Sequence, residues 1–129
     1  GTVNFAYNSA EDYNSSQDYT IENSLIVTST KNFDIKVKAD GEFFTDGTNN
    51  IPVNVLTIKA VSGGTMAGTQ NTIELSNSDQ KLIDNAPLGS ALTLDLNYEI
   101  PAAKSSSSDI LGKPAGTYTQ TVTYTATAL

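Results

Sequence analysis

The sequence predicts an all-β protein, an antiparallel two-sheet β-sandwich with about seven or eight strands. Three stretches carry that prediction. Between residues 117 and 127 every second residue is threonine, with Tyr118, Gln120, Val122, Tyr124 and Ala126 between them and Ala128 after them. A period of two puts the two sets on opposite faces of one strand, whereas a helix would scatter the threonines around its circumference. Residues 91–100 alternate in the same way, with Leu92, Leu94, Leu96, Tyr98 and Ile100 set against Thr93, Asp95, Asn97 and Glu99. Residues 33–40 place Phe33, Ile35, Val37 and Ala39 inward and Asp34, Lys36, Lys38 and Asp40 outward. No stretch has the period of an amphipathic helix, and a closed barrel is the alternative architecture.

The remaining elements follow in chain order. Residues 2–7 alternate, with Val3, Phe5 and Tyr7 on one side and Thr2, Asn4 and Ala6 on the other, and predict a strand. Residues 8–18 are polar and acidic and predict a long loop. A strand over 24–30, a turn at Lys31-Asn32 and the strand over 33–40 together predict a hairpin. Phe43-Phe44 precedes turn chemistry at Asp46-Gly47-Thr48-Asn49-Asn50. Over 51–60 the alternation slips: Val53 and Val55 share one phase, and Leu56, Ile58 and Ala60 share the next. One extra residue near Val55 would restore the register, which predicts a β-bulge. Residues 62–69, with Gly63, Gly64 and Gly68, read as a loop, 71–75 as a short strand, and 79–85 as a strand or a turn of helix. Pro101 ends the strand over 91–100 because it cannot donate to a ladder. Residues 104–114, with four consecutive serines, predict a solvated loop, and Ala115-Gly116 a turn into the last strand.

A chain of 129 residues fits a single domain with one core. Within it, residues 1–18 read as an N-terminal strand plus polar linker, a candidate donor strand. The net charge is −7, and its cations are scattered lysines without arginine. That excludes a nucleic-acid surface, which needs clustered cations, and disfavours an anionic membrane. No apolar run approaches the ~18 residues of a membrane span. Cysteine is absent, so there is no disulfide and no thiolate metal site. Histidine is absent too, which removes the usual proton shuttle. The acidic candidates for two-carboxylate hydrolysis are Glu11, Asp12, Asp18, Glu22, Asp40, Glu42, Asp46, Glu74 and Asp95. Most sit on loops or on the polar phase of a strand, so an enzyme is not expected. Abundant threonine, serine and asparagine with few charges suit a secreted or cell-surface β protein, and the opening at Gly1 suits a processed N-terminus.

No cofactor is expected. The nearest approach to a cation site would take calcium, between Asp40-Gly41-Glu42 and Asp46-Gly47-Thr48-Asn49-Asn50. The spacing departs from the EF-hand pattern, and ordinary turn chemistry is the preferred explanation. Asn14-Ser15-Ser16 matches the glycosylation sequon, a triplet short enough to arise by chance. A lysine–asparagine isopeptide would need an inward lysine, and Lys36, Lys38 and Lys59 all lie on outward phases. Tyr118 and Tyr124 read as core residues whose hydroxyls reach a partner.

The stretch Ala115-Gly116-Thr117-Tyr118-Thr119-Gln120-Thr121-Val122-Thr123-Tyr124 resembles the last strand of two bacterial surface families. These are the spore-coat-U-like and archaic chaperone–usher pilins, and the WxL cell-wall-binding domains. The order Phe44-Thr45-Asp46-Gly47, Ile51-Pro52-Val53, Leu56-Thr57-Ile58 and Ala115-Gly116-Thr117-Tyr118 is similar to the second. The chain lacks tryptophan, however, and offers Tyr124-Thr125-Ala126 where that family carries its motif. The resemblance implies a bacterial surface β-sandwich of the Ig-like or pilin-like kind.

Two functions are therefore expected. The first is a structural subunit of an extracellular filament or surface layer, a polymer of itself built by strand addition, with Val3, Phe5 and Tyr7 filling a neighbour's pockets. Pairing of that strand inside its own domain is the alternative at equal weight. The second is a cell-wall polysaccharide or glycan-binding module, whose only aromatic candidates outside the clear strand cores are Tyr13, Tyr19, Phe43 and Phe44.

Overall fold

The computed structural model describes every residue except Gly1, Asn8, Ser62 and Ala115, and the side chains of all described residues but Thr2, Ser108 and Asp109. The expected turn at Ala115 therefore falls outside the described residues. In chain order the elements are β1 (Thr2–Tyr7), α1 (Ala10–Tyr13), β2 (Gln17–Ser29), β3 (Phe33–Ala39), β4 (Phe43–Thr45), β5 (Asn50–Pro52), β6 (Thr57–Val61), β7 (Thr69–Gln70), β8 (Thr72–Glu74), β9 (Gln80–Ala86), β10 (Gly89–Ile100), α2 (Ala102–Ser105), α3 (Ser108–Leu111) and β11 (Gly116–Ala128). All described strand pairs are antiparallel.

The strands form two sheets, as the alternation predicts. The larger has seven strands in the order β5-β4-β11-β3-β9-β7, with β1 added to β11; the smaller has four in the order β2-β10-β6-β8. Their apolar faces meet in one core that includes Phe5, Ile35, Val37, Phe44, Leu82, Leu96, Tyr98 and Tyr118. The strand count exceeds the expected seven or eight because β4, β5, β7 and β8 have only two or three residues each. Alternation cannot declare itself over so short a run.

Four local expectations are corrected. The first is the hairpin across Lys31-Asn32. β2 pairs with β10 and β3 pairs with β11 and β9, so this turn carries the chain from one sheet to the other. The second is the bulge near Val55. The slip is instead a single 3-10 turn, Val53–Val55, between β5 of the larger sheet and β6 of the smaller. Val53, Val55, Leu56 and Ile58 are all buried because the phase change is a change of sheet.

The third is the pair of loops. Residues 10–13 wind into α1, with Ser9 N donating to Asp12 Oδ2 at 3.3 Å, and β2 already begins at Gln17. The serine run folds into α2 and α3, which bury Ser105 and Ile110 completely. The fourth is the outward phase of β10, where Asp95 and Asn97 are buried rather than exposed. Each is taken up by β2: Asp95 Oδ1 accepts from Asn23 N at 2.9 Å, and Asn97 Nδ2 donates to Asp18 Oδ1 at 2.7 Å and Thr20 Oγ1 at 3.0 Å.

Candidate assembly edge and surface clefts

β1 lies antiparallel along the first half of β11, from Thr2 opposite Thr121 to Tyr7 opposite Gly116. Alternation sends Val3, Phe5 and Tyr7 inward, where they are 2%, 4% and 1% exposed. Each is held by specific contacts. Phe5 meets the edge of Phe44 at 5.9 Å between centroids and Tyr19 at 5.6 Å. Tyr7 packs on Tyr13 at 5.1 Å, and its hydroxyl hydrogen-bonds Ser105 Oγ at 2.9 Å. Burial raises the Tyr7 hydroxyl above its ordinary pKa. Thus β1 pairs inside its own domain in this single chain, the alternative weighed from the sequence. Its outer flank is covered by β2: Gln17 Nε2 donates to Ala6 O at 3.0 Å, and the main chain of Asn4 hydrogen-bonds the Tyr19 hydroxyl.

The flanks of β11 can be assigned one by one. Thr119 is opposite both Asn4 of β1 and Thr45 of β4, so those strands lie on opposite sides of it. Asp40 N, just past β3, donates to Thr121 O, while Thr2 is also opposite Thr121. β3 and β4 therefore share one flank and β1 occupies the other. β3 continues along its flank to the pair Ala128 and Phe33. The described part of β1 ends with Thr2 opposite Thr121, and among the described residues no strand pairs with 123–128 on the β1 side.

Below that open stretch a cleft of 230 Å³ separates the sheets, lined by Val3, Ile21, Ser24, Leu25, Tyr98, Val122 and Tyr124. Tyr19 stacks on Tyr98 at 5.2 Å, and the hydroxyls of Tyr98 and Tyr124 hydrogen-bond each other at the cleft. Burial, then the neighbouring Tyr98, pushes the pKa of Tyr19 up to about 12. The same two causes in the same order raise Tyr124. Tyr118 donates to Pro114 O at 2.6 Å, so both tyrosines of β11 find hydroxyl partners as expected. Ala126 and Ala128 share the inward phase of β11 but are exposed, because nothing described covers the sheet there.

The four candidate glycan contacts do not share a groove. Phe44 is 1% exposed and belongs to the core, a correction with a simple cause: adjacent residues on a strand face opposite sides, and Phe43 is the exposed one at 42%. Tyr13 is half-buried on Tyr7 with its hydroxyl donating to Lys113 O at 3.0 Å, and Tyr19 is half-buried in the stack described above. Phe43 alone borders a second cleft, of 270 Å³, with Glu42, Pro52, Val53, Asn54, Leu75, Ser76 and Asn77.

In the loops considered for calcium, the carboxylates of Asp40 and Asp46 accept hydrogen bonds from within the chain. Asp46 Oδ1 accepts from Thr48 N at 2.9 Å and Asn49 N at 2.7 Å, and these main-chain donors hold its pKa below the usual value. Asp40 Oδ1 accepts from Thr123 Oγ1 at 2.9 Å. Comparison with family models, curated proteins and solved structures finds no match to this chain.

Of the groups that complete the lane around β1, sequence reasoning placed Tyr98 on the inward face of its strand and did not single out Gln17, Ile21 or Ser105. Ile21 lay outside every strand the alternation predicted, and Gln17 and Ser105 are polar and unremarkable in sequence.

Proposed function

We propose that the protein is a structural, non-enzymatic subunit of an extracellular bacterial filament or surface layer, joined to its neighbours by β-strand addition through β1. The reading rests on the way β1 is held. It is a peripheral strand that ladders to one other strand, β11, while all three of its inward side chains are buried. Such a strand leaves and re-enters its lane as a unit, and a neighbour's β1 would make the same ladder and fill the same pockets. Residues 8–16 join β1 to β2, and nine residues of extended chain reach roughly 30 Å. Exchange of this kind is head-to-tail, does not close, and propagates as a fibre. Negatively stained images of the purified protein test it: filaments are expected, and removal of residues 1–8 should abolish them. A uniform field of single particles from the intact chain refutes it.

A second reading, a wall-polysaccharide or glycan-binding module, draws support from the exposed Phe43 beside Pro52, with Glu42, Asn54, Ser76 and Asn77 supplying polar groups to the same cleft. A ring wall with amide and carboxylate partners suits a sugar face. Retention on purified cell wall that is lost in Phe43→Ala would favour it; no retention would dismiss it.

A further inference from the structure

We propose that α1 is a latch on β1: while it stays docked, β1 is confined to its own lane, and transfer of β1 to another copy begins with the release of Tyr13. The latch rests on the strand exchange proposed above and adds the step that controls it.

The contacts converge on one end of β1. Ser9 N donates to Asp12 Oδ2 at 3.3 Å, Asp12 N to Ser9 O at 3.1 Å, and Asn14 N to Glu11 O at 3.1 Å, which winds the middle of the β1–β2 linker into one compact turn. A helix of four residues, none of them buried, is not held by its own hydrogen bonds alone. Tyr13 supplies the anchor: its ring packs on Tyr7 at 5.1 Å and its hydroxyl donates to Lys113 O at 3.0 Å. Tyr7 in turn hydrogen-bonds Ser105 Oγ at 2.9 Å, and Ala6 O accepts from Gln17 Nε2 at 3.0 Å. The linker is therefore pinned at its middle to the segment that carries α2 and α3, beside the last two residues of β1.

Reach makes the pin decisive. With Tyr13 docked, only Asn8 and Ser9 stand between β1 and α1. The three chain steps from Tyr7 to Ala10 span roughly 10 Å at full extension. That is about two strand spacings. The lane is already flanked by β11 on one side and by Gln17 and Tyr19 on the other, so the lane of another copy lies outside that radius. Once α1 undocks and unwinds, residues 8–16 are all free and reach roughly 30 Å. Exchange is thus gated by α1 as well as by the ladder and pockets that hold β1.

Energy transfer between copies of the full chain tests this. Asn4 and Thr117 are exposed, lie near each other across the β1–β11 ladder, and belong to a chain without cysteine. Asn4→Cys in one batch and Thr117→Cys in another therefore take a donor and an acceptor dye, and mixing reports β1 of one copy entering the lane of another. Tyr13→Phe keeps the ring on Tyr7 but removes the anchor to Lys113 O, and transfer should quicken by about 3- to 10-fold. An insert of about six glycines and serines between Asn8 and Ser9 gives β1 its reach with α1 still docked. It should quicken transfer too, and Tyr13→Phe should then add nothing. Amide exchange in β3 and β10 should stay unchanged throughout, because the release is local. Equal rates in the parent and in Tyr13→Phe overturn the latch and leave strand exchange standing. An acceleration by Tyr13→Phe that persists in the chain with the insert does the same. Faster exchange of the β3 and β10 amides in Tyr13→Phe overturns the latch as well, because the whole chain would then be opening. Transfer in none of these chains removes strand exchange through β1, and the latch with it.

Discussion

Replacing Phe5 by alanine tests whether β1 is a packed part of the domain. The ring is 4% exposed and sits between Phe44 and Tyr19, which makes the site a closed one that cannot collapse from one side. Truncating a buried phenylalanine costs about 3–5 kcal/mol, the lost transfer energy plus the cavity left behind. Against a total of about 5–15 kcal/mol for a domain, that is a large share. At about 4 °C per kcal/mol for a chain of this size, Tm should fall by roughly 12–20 °C. Urea titrations of Phe5→Ala and of Asn4→Ala, the latter exposed on the opposite face, give the comparison; Asn4→Ala should lie within about 0.5 kcal/mol of wild type. A loss below about 1 kcal/mol for Phe5→Ala would mean that β1 does not share the core, and the lane around it would have to be abandoned.

Other perturbations read other parts of the same arrangement. Ser105→Val strands the buried Tyr7 hydroxyl and should cost about 1–3 kcal/mol in chemical denaturation, while adding Tyr7→Phe should recover most of the loss by removing both polar groups. A Cβ on Gly64 would come within 2.3 Å of Thr93 O, a main-chain atom with no freedom to yield, so Gly64→Ala should destabilise by about 1–3 kcal/mol in the same assay. Stability should also fall at high pH. Unfolded tyrosine ionises near 10.0 and folded Tyr19 near about 12, so its contribution is complete below the first value and disappears as pH rises through the second. Urea midpoints that drop across that interval alongside tyrosinate absorbance would show it, and flat midpoints would contradict it.

The strands that announced themselves are those with one apolar face in the core. β1, β3, β10 and β11 alternate because that face is packed while the other carries polar residues, and burial of Val3, Phe5 and Tyr7 was legible for that reason. Asp34, Asp95 and Asn97, on the polar phases of β3 and β10, are buried as well. Alternation says which residues share a face but not which sheet the face belongs to. That is why the β2 to β3 turn read as a hairpin and the passage from β5 to β6 as a bulge, although both are crossings between layers. The first half of β2 was hidden by Asp18, Glu22 and Asn23, polar residues that an edge strand exposes freely. The turns α2 and α3 have four residues each, too few to express a helical period. Asp95 and Asn97 had no sequence mark of burial, because what buries them is β2, far away in the chain.

Removing residues 1–8 should end head-to-tail growth and at the same time uncover the stretch of β11 from Gly116 to Thr121, which is uncharged. Long, flat, uncharged edges recruit further strands. Provided that the truncated chain keeps its sheets, seen as unchanged far-ultraviolet circular dichroism, it should lose filaments under the microscope yet associate more strongly than the parent in the centrifuge, and an added peptide carrying residues 1–8 should reverse that association by refilling the lane. A truncated chain that keeps its sheets and still forms filaments would show that growth does not run through β1.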